Sequence, residues 1–273
     1  MIYKRILTIQ DISCVGQCSM TVALPILSAC GHEVCILPSA VLSTHTGGFG
    51  KPAVEKLGDF MDRAVTHWKE NGIDFDLIYV GYLGSLEAVQ AAETIMQTML
   101  APGGITVVDP AMADHGKRYS GLDDEYADAM LALCRKADVM IPNLTEAAMM
   151  AGIGHREEWD ESDIYELLSK LPGKDVVLTG VGLVPGQTGF AARTDAGVVF
   201  YSHKKLDKSY SGTGDIFASA FCGALAGGKS IPEAGKIAAD FTLRCVALTA
   251  ENPAHWYGVK FEKALPDLME MLR

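Results

Sequence analysis

At 273 residues, with 49% hydrophobic and 21% charged positions, the chain has the composition of a soluble globular protein able to bury a sizeable core. A formal net charge of −11 speaks against nucleic-acid binding and a basic membrane-surface role, and any anionic ligand must be held by local donors. No apolar run reaches the roughly 20 residues of a membrane span, and the N-terminal MIYKRILTIQ, followed at once by Asp11, lacks a signal-peptide core. The seven cysteines are scattered without a CxxC pair, so free thiols and a cytoplasmic setting are expected.

Tyr3–Gln10 reads as a buried strand, Asp11–Gln17 as a loop, Cys18–Cys30 as an amphipathic helix and Glu33–Leu37 as a second strand. Ser43–Gly50 is a polar, glycine-rich loop too elaborate for a mere connector, and Ala53–Asn71 carries helical periodicity. Regular alternation follows. Strands are predicted at Leu77–Val80, Ile105–Val108, Val139–Ile141 and Val176–Leu178, and helices at Glu87–Leu100, Glu125–Arg135, Glu146–Ala151 and Glu161–Lys170. Gly189–Arg193 and Val198–His203 read as a hairpin around Asp195-Ala196-Gly197. Ile216–Ala226 is an apolar, small-residue helix able to sit close against other backbone, and helices near Pro232–Thr249 and Lys260–Leu272 close the chain.

This pattern predicts one α/β domain over residues 1–273, with a mainly parallel central sheet, helices on both faces and a small β flap near residues 33–50. Ligands of such sheets bind beyond the carboxyl ends of the strands. Polar residues collect there: Asp11, Ser13, Tyr82, Asp109, Asn143, Glu146 and Thr179.

The densest chemistry lies at Ser211-Gly212-Thr213-Gly214-Asp215, a turn running straight into the apolar helix. Glycines there let successive N–H groups converge on an anion at a helix N-terminus. Asp215 does not bind an anion, so it reads as a base for a substrate hydroxyl, or as a simple helix cap shared with Thr213. Asp109 and Glu146 are the acidic candidates for Mg²⁺, or else ordinary turn and helix-start carboxylates. Thr44, His45 and Thr46 suit a small polar ligand. Gly223–Ser230 matches the Walker A pattern literally, but it follows a helical run rather than a strand, which marks an accidental match at a helix end.

The GTGD turn, with Asp109-Pro110 and Pro142-Asn143-Leu144-Thr145-Glu146, resembles the signature of ribokinase-like small-molecule kinases over essentially the whole chain. ILTIQD, Thr44-His45-Thr46-Gly47-Gly48 and Val80-Gly81-Tyr82-Leu83-Gly84 are similar to the pyridoxal kinase branch. The resemblance implies ATP-dependent phosphorylation of the 5′-hydroxymethyl group of pyridoxal, pyridoxine or pyridoxamine. It implies Asp215 as base, the Gly212, Thr213 and Gly214 amides as anion hole, and Asp109 and Glu146 acting through Mg²⁺ and its waters. It also implies Asp114, Asn143 and Thr179 along the nucleotide, Thr46 and Tyr82 at the pyridine ring, a homodimer and, in many members, K⁺. Where many members carry a Ser-His pair after the first strand, this chain has Asp11-Ile12-Ser13, so Asp11 or Ser13 would contact the ring. The rival expectations are a hydroxymethylpyrimidine kinase, a sugar or nucleoside kinase, and a catalytically silent binding module on the same fold.

Overall fold

The computed structural model describes residues 2–273. The chain runs β1 (Arg5–Ser13), α1 (Met20–Ala29), β2 (Glu33–Leu42), β3 (Val54–Lys56), α2 (Gly58–Glu70), β4 (Phe75–Val80), α3 (Leu86–Thr98), β5 (Leu100–Val108), β6 (Ala113–Asp114) and β7 (Lys117–Arg118). It continues with α4 (Asp124–Cys134), β8 (Val139–Met140), α5 (Leu144–Met150), α6 (Glu161–Lys170), β9 (Asp175–Val181), β10 (Gln187–Thr194), β11 (Gly197–Lys204), α7 (Thr213–Ala226), α8 (Ile231–Ala250) and α9 (Leu265–Met271).

Nine of the described strands form one sheet in the order β11-β10-β9-β8-β5-β4-β1-β2-β3, and β6-β7 make a separate hairpin. The six strands from β9 to β2 are parallel, and antiparallel β3 and β11–β10 close its two edges. Side chains alternate across the sheet. Leu7, Ile9, Ile78, Val80 and Val108 face the core covered by α2 to α6; Ile6, Leu77, Tyr79 and Val107 face the core covered by α1, α7 and α8. The mainly parallel sheet, covered on both faces, is therefore as the alternation predicts.

Small residues do the work expected of them in α7. A Cβ on Gly223 would lie 2.4 Å from Cys30 Sγ, so glycine is what lets α7 approach the end of α1. Below α7, Gly227 N–H and Gly228 N–H bond back to Gly223 and Leu225 carbonyls, and Ser230 N–H donates to Glu233 Oε2 to open α8. The Walker-like stretch is thus a helix–helix turn at the far end of α7, about 21 Å from the GTGD turn.

Several boundaries differ from expectation. β1 continues through Ser13, so Asp11 and Ser13 sit in a strand rather than a loop. The predicted helix over Ala53–Asn71 begins only at Gly58, because Val54–Lys56 pairs with Ala40–Leu42. That pairing extends the main sheet, and the detached hairpin lies at residues 113–118 instead of near 33–50. Pro102, Gly103 and Gly104 fall inside β5, and Thr179 inside β9.

Candidate functional site

The chain steps from β1 to β2 on one side and later to β4 on the other, so the order of strands reverses between β1 and β4. A crevice opens at the carboxyl ends of two such strands. Asp11 N–H donates to Tyr82 O at 3.1 Å across it.

Gly212 starts α7 with φ 85° and ψ 0°, a left-handed conformation that side chains rarely adopt, and a Cβ there would meet Gln17 O at 2.5 Å. No side chain caps α7; Thr213 Oγ1 turns away and donates to Tyr210 O at 3.3 Å. The space beside Gly214 is open. The first amides of this 14-residue helix are therefore uncapped, at the positive end of the helix dipole.

Asp215 does not cap its own helix. Its Oδ2 accepts Ser19 N–H at 2.9 Å, at the start of α1. Burial pushes the Asp215 carboxyl up to about 7; the Ser19 N–H opposes that rise and the Asp11 charge adds to it. Asp11, 2% exposed, accepts the Ser13 hydroxyl at 2.8 Å, and burial raises its carboxyl against the hydroxyls of Ser19 and Ser13. Burial, followed by the Asp215 and Asp11 charges, keeps the neighbouring Cys18 thiol protonated.

On the other side of the crevice, Asn143 and Glu146 form a capping box. Glu146, 1% exposed, accepts Met112 N–H at 2.8 Å and Ala113 N–H at 3.3 Å on Oε1, and Asn143 N–H at 2.9 Å on Oε2. Burial raises Glu146 to about 7 despite these three donors. Asn143 Nδ2 donates to Ala113 O at 2.8 Å, so both side chains hold the 109–115 turn in place. Asp109 Oδ1 accepts Ala111 N–H at 3.1 Å, and burial with the charges of Glu146 and Asp215 raises its carboxyl well above the usual range. Three carboxylates thus converge on one edge, a setting that favours a cation or a proton.

The other predicted residues lie around this centre. Thr46 is exposed in the 43–50 loop, where His45 Nδ1 accepts Gly47 N–H at 2.9 Å. Tyr82 is half-buried after β4, and Asp114 is exposed on the β6–β7 hairpin with Oδ1 on His115 N–H. Thr179 N–H donates to Pro142 O at 2.9 Å. The sequence reading did not find Ser19, Tyr119 or the segment 255–257. Tyr119 lies beside Tyr82 with ring centroids 6.5 Å apart, and burial and the charges of Glu146, Asp114, Asp109 and Asp215 all raise its hydroxyl. Phe49 packs against Trp256 and Tyr257 with ring centroids 4.7 and 5.5 Å apart, tying the 43–50 loop to the C-terminal region. None of these carries a local motif; each arrives by tertiary packing.

Residues 61–259 match the family model described as phosphomethylpyrimidine kinase. The structure is similar to pyridoxal kinase from Lactobacillus plantarum, with TM-score 0.89 and 32% identity over 98% of this chain and 97% of that one. It is equally similar to a Bacteroides thetaiotaomicron protein solved with pyridoxal under a phosphomethylpyrimidine kinase description, with TM-score 0.89 and 33% identity over 97% and 95% of the two chains. A pyridoxine/pyridoxal/pyridoxamine kinase of Bordetella bronchiseptica is 25% identical over 260 residues, 90% of this chain and 89% of that one. The chain belongs to the phosphomethylpyrimidine kinase family, and it is a kinase of the pyridoxal/phosphomethylpyrimidine type.

Proposed function

We propose that the protein transfers the γ-phosphoryl group of ATP to the 5′-hydroxymethyl group of pyridoxal, pyridoxamine and pyridoxine. The observation that carries this reading is Asp215, its Oδ2 held by Ser19 N–H and its carboxyl set beside the uncapped amides of Gly212, Thr213 and Gly214 at the strand-order reversal. The alcohol and its base meet there, next to donors for the transferring phosphoryl. Phosphoryl transfer asks chiefly for such positioning and charge stabilisation.

In this reading Asp215 takes the hydroxyl proton while the amides and the α7 dipole stabilise charge on the phosphoryl oxygens. Asp109 and Glu146 fit a nucleotide-borne Mg²⁺, since their mutual repulsion is relieved by a cation, and Glu146, its oxygens already on backbone N–H groups, acts through water. Mg²⁺ supplies charge neutralisation at the phosphates. Asn143, Asp114 and Thr179 line the nucleotide side, and Thr46, Tyr82, Asp11 and Ser13 the ring side. The family match supports a second reading, phosphorylation of hydroxymethylpyrimidine on the same site. Measuring ADP release from MgATP with the three vitamers, hydroxymethylpyrimidine and ribose decides between them. Turnover confined to the vitamers is expected; turnover on hydroxymethylpyrimidine alone replaces the first reading by the second.

A further inference from the structure

The link from β1 to α1 has a backbone that side chains resist. Gly16, Gln17 and Ser19 have φ of 129°, 55° and 54°. Ser19, with ψ −126°, occupies a region natural to glycine, and strain of this kind persists only where the surroundings impose it. Ser19 is 6% exposed, bridges to Ile12 of β1 and makes no side-chain cap on α1. Its N–H instead reaches Asp215 Oδ2 at 2.9 Å, 196 positions along the chain. Among the described residues no hydrogen bond is made to Asp215 Oδ1, so that oxygen is the one left for substrate.

We propose that Ser19 is a positioning residue for phosphoryl transfer: its main-chain N–H, set by the positive-φ backbone at residue 19, anchors Asp215 Oδ2 and leaves Oδ1 to accept the proton. This rests on Asp215 being the base. The alcohol O–H bond breaks as its oxygen bonds to the γ-phosphorus, the β–γ bridging oxygen leaves with ADP, and the proton stays on Oδ1 until solvent removes it. Asp11 from β1, Cys18 from the same link, Tyr79 from β4, Asp109 after β5 and Tyr119 after β7 also face this centre. The carboxylates among them repel a charged Asp215 and the thiol and phenols stay neutral, so beside the positive end of α7 the Ser19 N–H is the hydrogen-bond donor that favours the ionised base.

The test is an ester at residue 19, introduced as the α-hydroxy analogue of serine, which removes the N–H and keeps the side chain. The acid limb of kcat/KM for the alcohol should move to higher pH by on the order of one unit, with kcat down about tenfold and the KM for ATP unchanged. Profiles and kcat superimposable on wild type would overturn the proposal. Should the ester chain not fold, the Ser19 amide resonance of the ¹⁵N-labelled wild-type protein decides: its proton should shift with pH along the acid limb of kcat/KM and lose that shift in Asp215→Asn. A Ser19 amide that does not follow the limb, or that follows it unchanged in Asp215→Asn, overturns the proposal as well. Asp215→Ala, measured alongside, separates the two levels. Wild-type turnover there removes the base and this proposal with it, whereas loss of turnover there with an unaltered ester variant removes the proposal alone.

Discussion

Glu146 and Asn143 cap one another: Asn143 Oδ1 accepts Glu146 N–H at 3.0 Å while Glu146 Oε2 accepts Asn143 N–H at 2.9 Å. The remaining oxygen of Glu146 holds Met112 and Ala113, so one buried carboxylate fixes both the start of α5 and the turn that carries Asp109.

Glu146→Ala strands three backbone donors and should cost about 3 kcal/mol or more, read as a lowered melting temperature. Glu146→Gln keeps an acceptor and should melt closer to wild type while needing more Mg²⁺ for half-maximal rate. An alanine variant that melts with wild type contradicts the structural part assigned to this carboxylate.

Burial holds Glu146 and Asp215 up at about 7 in the folded chain, whereas unfolded carboxyls titrate near about 4. Between those values the folded state binds more protons, so these two groups make stability fall as pH rises through that window. The melting temperature should be higher at pH 6 than at pH 8. Asp215→Asn should flatten that slope and melt above wild type at pH 8, since it removes a buried like charge. A melting temperature that climbs from pH 6 to pH 8 runs against this sign.

Gly212→Ala places a side chain at φ 85° and a Cβ 2.5 Å from Gln17 O. A strain of about 1–3 kcal/mol is expected, along with a kcat loss from displaced amides. Unchanged kinetics in a folded variant would remove these amides from the transition state.

Asp11 is a buried carboxylate at the end of β1, beside Tyr82 across the crevice. A negative charge there favours a protonated ring nitrogen or an amine, so Asp11→Asn should change the ranking of pyridoxamine against pyridoxine in kcat/KM. An identical ranking in wild type and variant discounts the ring contact.

The parallel sheet and its site edge were legible because short apolar runs alternate with period-3.6 segments, and because Asp109, Asn143 and Asp215 follow strands or a glycine turn. β3 was not: Val54, Glu55 and Lys56 are all exposed, so no buried face marks them, and only pairing with Ala40–Leu42 makes them a strand. β1 outran its predicted end because Asp11 and Ser13 are buried as a hydrogen-bonded pair, a stabilisation that hydropathy does not register. The attachment of Asp215 to Ser19 joins the two ends of the chain, and nothing local announces it. Glu146 was legible as an acidic helix-start residue, but its engagement by the 112–113 backbone depends on a turn packed over it.

The most direct measurement is the kcat of Asp215→Ala against wild type with MgATP and pyridoxal, both proteins folded by circular dichroism. The account predicts a fall of about 10²- to 10⁴-fold. A kcat within a few-fold of wild type would contradict the assignment of Asp215 as the base.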